Sequence, residues 1–72
     1  MNNIAPRKLL NSKWTATSPV NKEKHFLIVR VVFDDANLNI EECVIEAIYS
    51  KRQRNIDWRE LKDEEHWKTG WL

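Results

Sequence analysis

Few side chains in this sequence are equipped for chemistry, and they are scattered. Cys43, His25 and His66 are its only thiol and imidazole groups. A structural zinc site takes four Cys or His ligands at close paired spacings. Three residues spread along most of the chain do not supply them, so no metal is expected. Cys43 as a nucleophile with His25 as its base would require the two to meet in the fold. Ser12, Ser18 and Ser50 stand in no Ser-His-Asp pattern that the sequence reveals. Asp34 with Asp35, and Glu41 with Glu42, are adjacent carboxylates. Neighbours on a strand point to opposite faces, and a turn solvates its acids, so neither pair is arranged for proton transfer. Gly70 is the only glycine, which leaves no glycine-rich loop to cradle a phosphate. The expectation is a chain without enzymatic activity and without a cofactor.

A binding surface is better represented. Lys51, Arg52, Arg54 and Arg59 stand close in sequence to Tyr49, Trp58 and Trp67, and Lys13, Lys22 and Lys24 join them if the first strand lies alongside. Large aromatic rings anchor protein partners. Basic groups beside exposed rings also serve single-stranded nucleic acid. A third reading is plain: charge on a hairpin keeps a sheet edge soluble. The candidate site is Lys51, Arg52, Arg54, Trp58, Arg59 and Trp67. A protein partner is the leading expectation, with single-stranded RNA or DNA as the alternative.

These residues need elements to position them. Residues 1–12, with Pro6 and three Asn, read as an N-terminal arm docked by Leu9 and Leu10, and residues 13–72 as one tryptophan-rich β domain. Lys13 to Thr17 has the alternation of a short strand, broken at Ser18 to Lys22 around Pro19. His25 to Phe33 is rich in Val, Ile and Phe and reads as a long strand. Its odd positions, Leu27, Val29, Val31 and Phe33, are wholly apolar and define the expected core face. Asp34 to Asn39 is a turn centred on Asn37. A second strand follows over about Ile40 to Lys51, with Cys43, Ile45, Ala47 and Tyr49 on one face and Glu42, Val44, Glu46 and Ile48 on the other. Matching faces pairs Leu27 with Ala47, Val29 with Ile45 and Val31 with Cys43, and leaves Arg30 diagonal to Glu42 and Glu46.

A turn at Arg52-Gln53 would set Tyr49 opposite Ile56 and Ala47 opposite Trp58; lacking the Asn-Gly or Asp-Gly of tight hairpins, the segment also allows a longer loop. The tail changes period. Asp57 with Glu60 fits a capping box, and a strand ending at Trp58 fits as well. Asp63-Glu64-Glu65 is the better helix start, with Gly70 as its C-terminal cap and Trp67 and Trp71 sharing one face of that helix or its exit. The fold class expected is mainly β with some α: an antiparallel meander of three or four strands, closing towards an SH3-like or Sm-like barrel, with a short C-terminal helix.

Size and charge bound the rest. With 72 residues, four of them Trp, and one Cys, the chain is a single domain that needs large side chains to build a core. The net charge of +1 excludes a simple polycation. It conceals alternating blocks, however: residues 1–30 and 51–62 are basic, 31–50 and 63–72 acidic. Arg30 interrupts the longest apolar run, which argues against a membrane span. The N-terminus lacks the apolar stretch of a signal peptide. A lone cysteine fits the reducing cytoplasm.

The strings Leu9-Leu10-Asn11-Ser12-Lys13-Trp14-Thr15-Ala16, Lys22-Glu23-Lys24-His25-Phe26 and Ile56-Asp57-Trp58-Arg59-Glu60-Leu61-Lys62-Asp63 occur in that order, ahead of Trp67-x-x-Gly70-Trp71. Together they closely resemble a family of small bacterial tryptophan-rich proteins of unknown function, DUF2389, over about residues 8–72. The resemblance implies that Trp14, His25, Phe26, Trp58, Arg59, Glu60, Leu61, Trp67 and Trp71 belong to the family pattern. It brings no activity with it, and leaves open whether these residues serve folding or binding.

Overall fold

Local backbone chemistry sets the hairpins of the computed structural model, which describes residues 1–72. β1 (Lys13–Val20) and β2 (Glu23–Phe33) are joined by Asn21 and Lys22, with φ of 55° and 63°. Two consecutive left-handed residues make the two-residue hairpin whose twist matches that of the strands. β1 therefore runs on through Ser18 and Pro19, where a break was expected. Proline's fixed φ fits extended backbone, and the β1–β2 register is irregular between Thr15 and Val20. β2 turns into β3 (Ile40–Ala47) through residues 34–39. Asp34 holds that loop: its carboxylate accepts the Leu38 N–H at 2.9 Å, and Asn37 takes the expected left-handed φ of 56°.

The five strands form one open antiparallel sheet in the order β4-β3-β2-β1-β5, with β4 at Gln53–Asn55 and β5 at Trp67–Thr69. The protein is mainly β, and its helical content is confined to short 3-10 turns at Pro6–Lys8 and Trp58–Lys62. The sheet does not close into a barrel. No helix is long and apolar enough to cross a membrane.

The β2–β3 register corrects the expectation halfway along. Val31 pairs with Cys43 and Val32 with Glu42, but Phe26 pairs with Ala47 and Ile28 with Ile45. Val29 is the extra residue of a bulge, and a bulge changes which side chains share a face. Before it, the even positions Phe26 and Ile28 enter the core; after it, Val31 does. Leu27 and Val29 are only half-buried. On β3 the expected split holds: Cys43, Ile45 and Ala47 are buried, and Glu42 on the opposite face pairs with Arg30 at 3.3 Å.

The second hairpin also departs from expectation. β3 ends at Ala47, and the chain turns through residues 48–51, with Lys51 left-handed at φ 65°. Gln53 thus meets Glu46 and Arg54 meets Ile45. Neither the Tyr49–Ile56 nor the Ala47–Trp58 pairing forms: the Ile56 N–H donates to the Cys43 carbonyl at 2.9 Å.

No helix starts at Asp63-Glu64-Glu65. The weaker of the two signals is the one used: the Asp57 side chain accepts the Arg59 N–H at 3.0 Å and caps the 3-10 helix over Trp58–Lys62. Residues 64–66 turn, and β5 then pairs with β1, setting Ala16 opposite Trp67. Gly70 ends a strand instead of a helix. Its φ of 79° is what calls for glycine, since a side chain there would meet nothing within 4 Å.

One face of the sheet carries the core. Trp14, Phe26, Ile28, Ile45 and Ala47 pack beneath Leu9, Ile56 and Leu61, with Trp58 and Ile4 against the cluster. The molecule is only 15 Å thick, consistent with one sheet and a single covering layer. Residues 1–12 are part of that layer. Leu9 is 1% exposed while Leu10 stays outside, and the Asn2 side-chain amide donates to the carbonyls of Leu61 and Trp67, both at 2.8 Å.

Candidate interaction surfaces

The basic hairpin is positioned by a buried acid. Glu23 opens β2 and is 7% exposed. It accepts a hydrogen bond from the Ser50 hydroxyl and lies 3.5 Å from Arg52 Nε. The Arg52 N–H in turn donates to Ser50 Oγ at 3.2 Å. A carboxylate held this way needs its partners, because an unpaired buried charge is costly. The arrangement fixes the turn and spends Arg52 on structure. Lys51 and Arg54 are exposed and make no ion pair.

The six expected site residues do not form one patch. Trp67 is a core residue, 7% exposed, with its ring edge-on to Phe26 at 5.1 Å and 83°. Trp58 is half-buried at the end of the molecule away from Lys51 and Arg52. There it shares a shallow cleft of about 80 Å³ with Pro6, Leu38, Ile40 and Arg59. Leu38, 79% exposed, and Asn39 complete the lining, so the cleft is part apolar and part polar. Lys62 Nζ lies 5.0 Å from the Trp58 ring centre, a cation–π contact. Arg59 Nε is 3.2 Å from Asp57 Oδ1. The Arg59 N–H and guanidinium together hold the Asp57 carboxyl below its usual range.

The most open tryptophan is one expected beside Trp67 on a short helix or its exit. Trp71, 42% exposed, lies on the face opposite the core, against His25 at 6.0 Å between ring centres and under Lys13 Nζ at 4.8 Å. Its indole N–H donates to the Phe26 carbonyl at 2.9 Å. Trp67 and Trp71 thus lie on opposite faces although residues four apart on a strand would share one: β5 ends at Thr69 and the left-handed Gly70 redirects the chain before Trp71.

A second arrangement is also invisible in the sequence. Ser18, Asp63 and His66 line one cleft with Arg54 and Glu60. The Asp63 carboxylate is 2.6 Å from His66 Nδ1; this raises the His66 pKa and lowers that of Asp63. Both groups are open to solvent. Cys43 and His25 do not meet, since they face opposite sides of the sheet. Burial pushes the Cys43 thiol up to about 11, so it stays protonated at neutral pH. No group of three or more His, Cys, Asp or Glu is arranged to hold a metal ion.

The family model described as "Tryptophan-rich protein (DUF2389)" matches residues 12–72, nearly the whole chain. No curated protein and no solved structure matches. The chain belongs to the tryptophan-rich DUF2389 family.

Proposed function

We propose that this member of the tryptophan-rich DUF2389 family is a non-enzymatic protein-interaction module. Its anchor is the Trp58 end of the molecule, assisted by the basic hairpin. The carrying observation is the cleft in which the half-buried Trp58 meets the exposed Leu38, Pro6 and Ile40 beside Arg59. A half-buried, pre-positioned tryptophan ring beside an arginine has the composition of an interface hot spot, and immobilising such a ring costs little entropy. The lone buried thiol, inert at neutral pH, suits a reducing compartment such as the cytoplasm.

The test is affinity capture with nuclease-treated extract at moderate salt. Wild-type protein is expected to retain a defined protein, which Trp58→Ala and Leu38→Ser lose and Lys24→Ala keeps. If capture disappears with nuclease, or is indifferent to Trp58 and Leu38, the reading is wrong.

Single-stranded nucleic acid is the second reading. It is favoured by Lys51 and Arg54, which are free of ion pairs, next to the 67%-exposed Tyr49. It is weakened by Arg52 and Arg59, both of which already face carboxylates. Binding of a labelled oligonucleotide that falls steeply with added salt would establish it. Absence of binding at about 50 mM salt would remove it.

A further inference from the structure

Strand β4 is an edge whose main chain is unclaimed. The Ala47 N–H donates to the Arg52 carbonyl and the Ile56 N–H to the Cys43 carbonyl, each at 2.9 Å, and Arg54 sits opposite Ile45 between them. Antiparallel pairs alternate between bonded and unbonded. The N–H and C=O groups of Gln53 and Asn55 therefore point away from β3, into solvent. The far edge differs. On β5 the Trp67 N–H donates to the Asp63 carbonyl at 2.9 Å, and the Trp67 carbonyl accepts from Asn2.

The geometry points to β4 as the acceptor of an extended, acidic segment of a partner protein, added as a sixth strand. This deepens the interaction reading above and rests on it. The charge around the edge selects the occupant. Lys51 and Arg54 are exposed cations without ion pairs, and Arg52 stands between them in the hairpin. Glu60 and Asp63 share a cleft with Arg54, but neither comes within ion-pair distance of it. An added strand places alternate side chains beside Arg54 on one face and beside Gln53 and Asn55 on the other, so a carboxylate opposite Arg54 is favoured. A second copy of this chain is a poor occupant. Two β4 strands related by a two-fold axis at Arg54 would set the guanidinium groups against each other.

The test uses the full chain, labelled with nitrogen-15, and a blocked seven-residue peptide alternating Glu and Thr. Its Lys–Thr counterpart and oligothymidylate are the controls. The acidic peptide is expected to shift the Gln53, Arg54 and Asn55 amides and to slow hydrogen exchange at Gln53 and Asn55 about tenfold. Gln53→Pro removes an outward N–H at the first residue of the strand, where proline is tolerated. Arg54→Glu reverses the charge. Each is expected to weaken binding about tenfold or more while keeping a dispersed spectrum.

The proposal is overturned if the edge amides do not respond at about 1 mM peptide. It also falls if the Lys–Thr peptide or oligothymidylate binds them equally well, or if both variants bind like wild type. Should the edge be silent while Trp58→Ala still loses its captured protein, strand addition is wrong and the interaction reading stands. If both results fail, both readings fall together.

Discussion

The two edges of the sheet solve one problem in opposite ways. At β5 the N-terminal segment covers the Trp67 end of the strand: Asn2 supplies hydrogen bonds to Leu61 and Trp67, and Trp67 itself is buried against Phe26. At β4 all three residues of the strand are exposed, with Arg54 at its centre and Lys51 and Arg52 just before it. An open edge invites pairing with other chains unless it is covered, shortened or charged. Covering joins an edge to the core and makes it a contributor to stability. Charging leaves the main chain accessible and decides only what may approach. The covered edge therefore contributes to holding the fold together, and the open one keeps outward main-chain groups exposed.

The largest effect is expected from Trp67→Ala. Losing a buried ring costs about 3–5 kcal/mol, a large fraction of what a domain of this size possesses. Urea denaturation should show this variant largely unfolded or close to it, with Trp58→Ala losing less than half as much. Equal losses would erase the distinction between the buried and the half-buried tryptophan.

Asn2→Ala comes next. It strips the donor from two carbonyls and should destabilise by about 1–3 kcal/mol. Hydrogen exchange should quicken along β5 and remain unchanged in β4. Unaltered exchange at β5 would mean that the N-terminal segment does not seal that edge.

Arg54→Ala should alter stability by no more than about 0.5 kcal/mol and still have a visible consequence. With the repulsion at the β4 edge reduced, self-association should rise, as read by sedimentation velocity. A variant that stays as monodisperse as wild type would show that charge does not guard this edge.

The smallest effect concerns pH. Asp63 raises the His66 pKa above its ordinary 6.5, so the pair's contribution to stability is fully present below 6.5. It is lost as pH rises through the higher folded value. Asp63 is itself held below 3.8, which sets the acid limit. His66→Gln should therefore lower the melting temperature slightly at about pH 5–6 and not at about pH 8.5. Because both groups are exposed, this change should be smaller than any of the others.

Much of the central sheet is legible in the residues themselves. Val31 does pair with Cys43, Arg30 does reach Glu42, and Asn37 turns the chain, because alternation, opposite charge and left-handed tolerance are local or cross-strand signals. The bulge at Val29 carries no such signal. Nothing in Ile28-Val29-Arg30 distinguishes a regular strand from one with an extra residue, yet the bulge moves Leu27 out of the core and Phe26 into it. The tail misled for a different reason. Asp63-Glu64-Glu65 has the chemistry of a helix start, but three residues of β5 gain more by pairing with β1 and burying Trp67 than a short, exposed helix would gain alone.

The candidate site was legible only in part. Lys51, Arg52 and Arg54 do cluster, since a hairpin keeps sequence neighbours together. Trp58 and Arg59 lie elsewhere because the 3-10 helix carries them to the end near Leu38 and Pro6. Composition and periodicity determined that this chain is a small β protein, with its acidic and basic blocks on identifiable hairpins. They act through each residue's own backbone preference and its nearest neighbours. Which tryptophans are buried, and which sheet edge is left open, was decided only by tertiary structure. Those outcomes depend on segments from the two ends of the chain arriving at one edge, and local sequence does not encode their meeting.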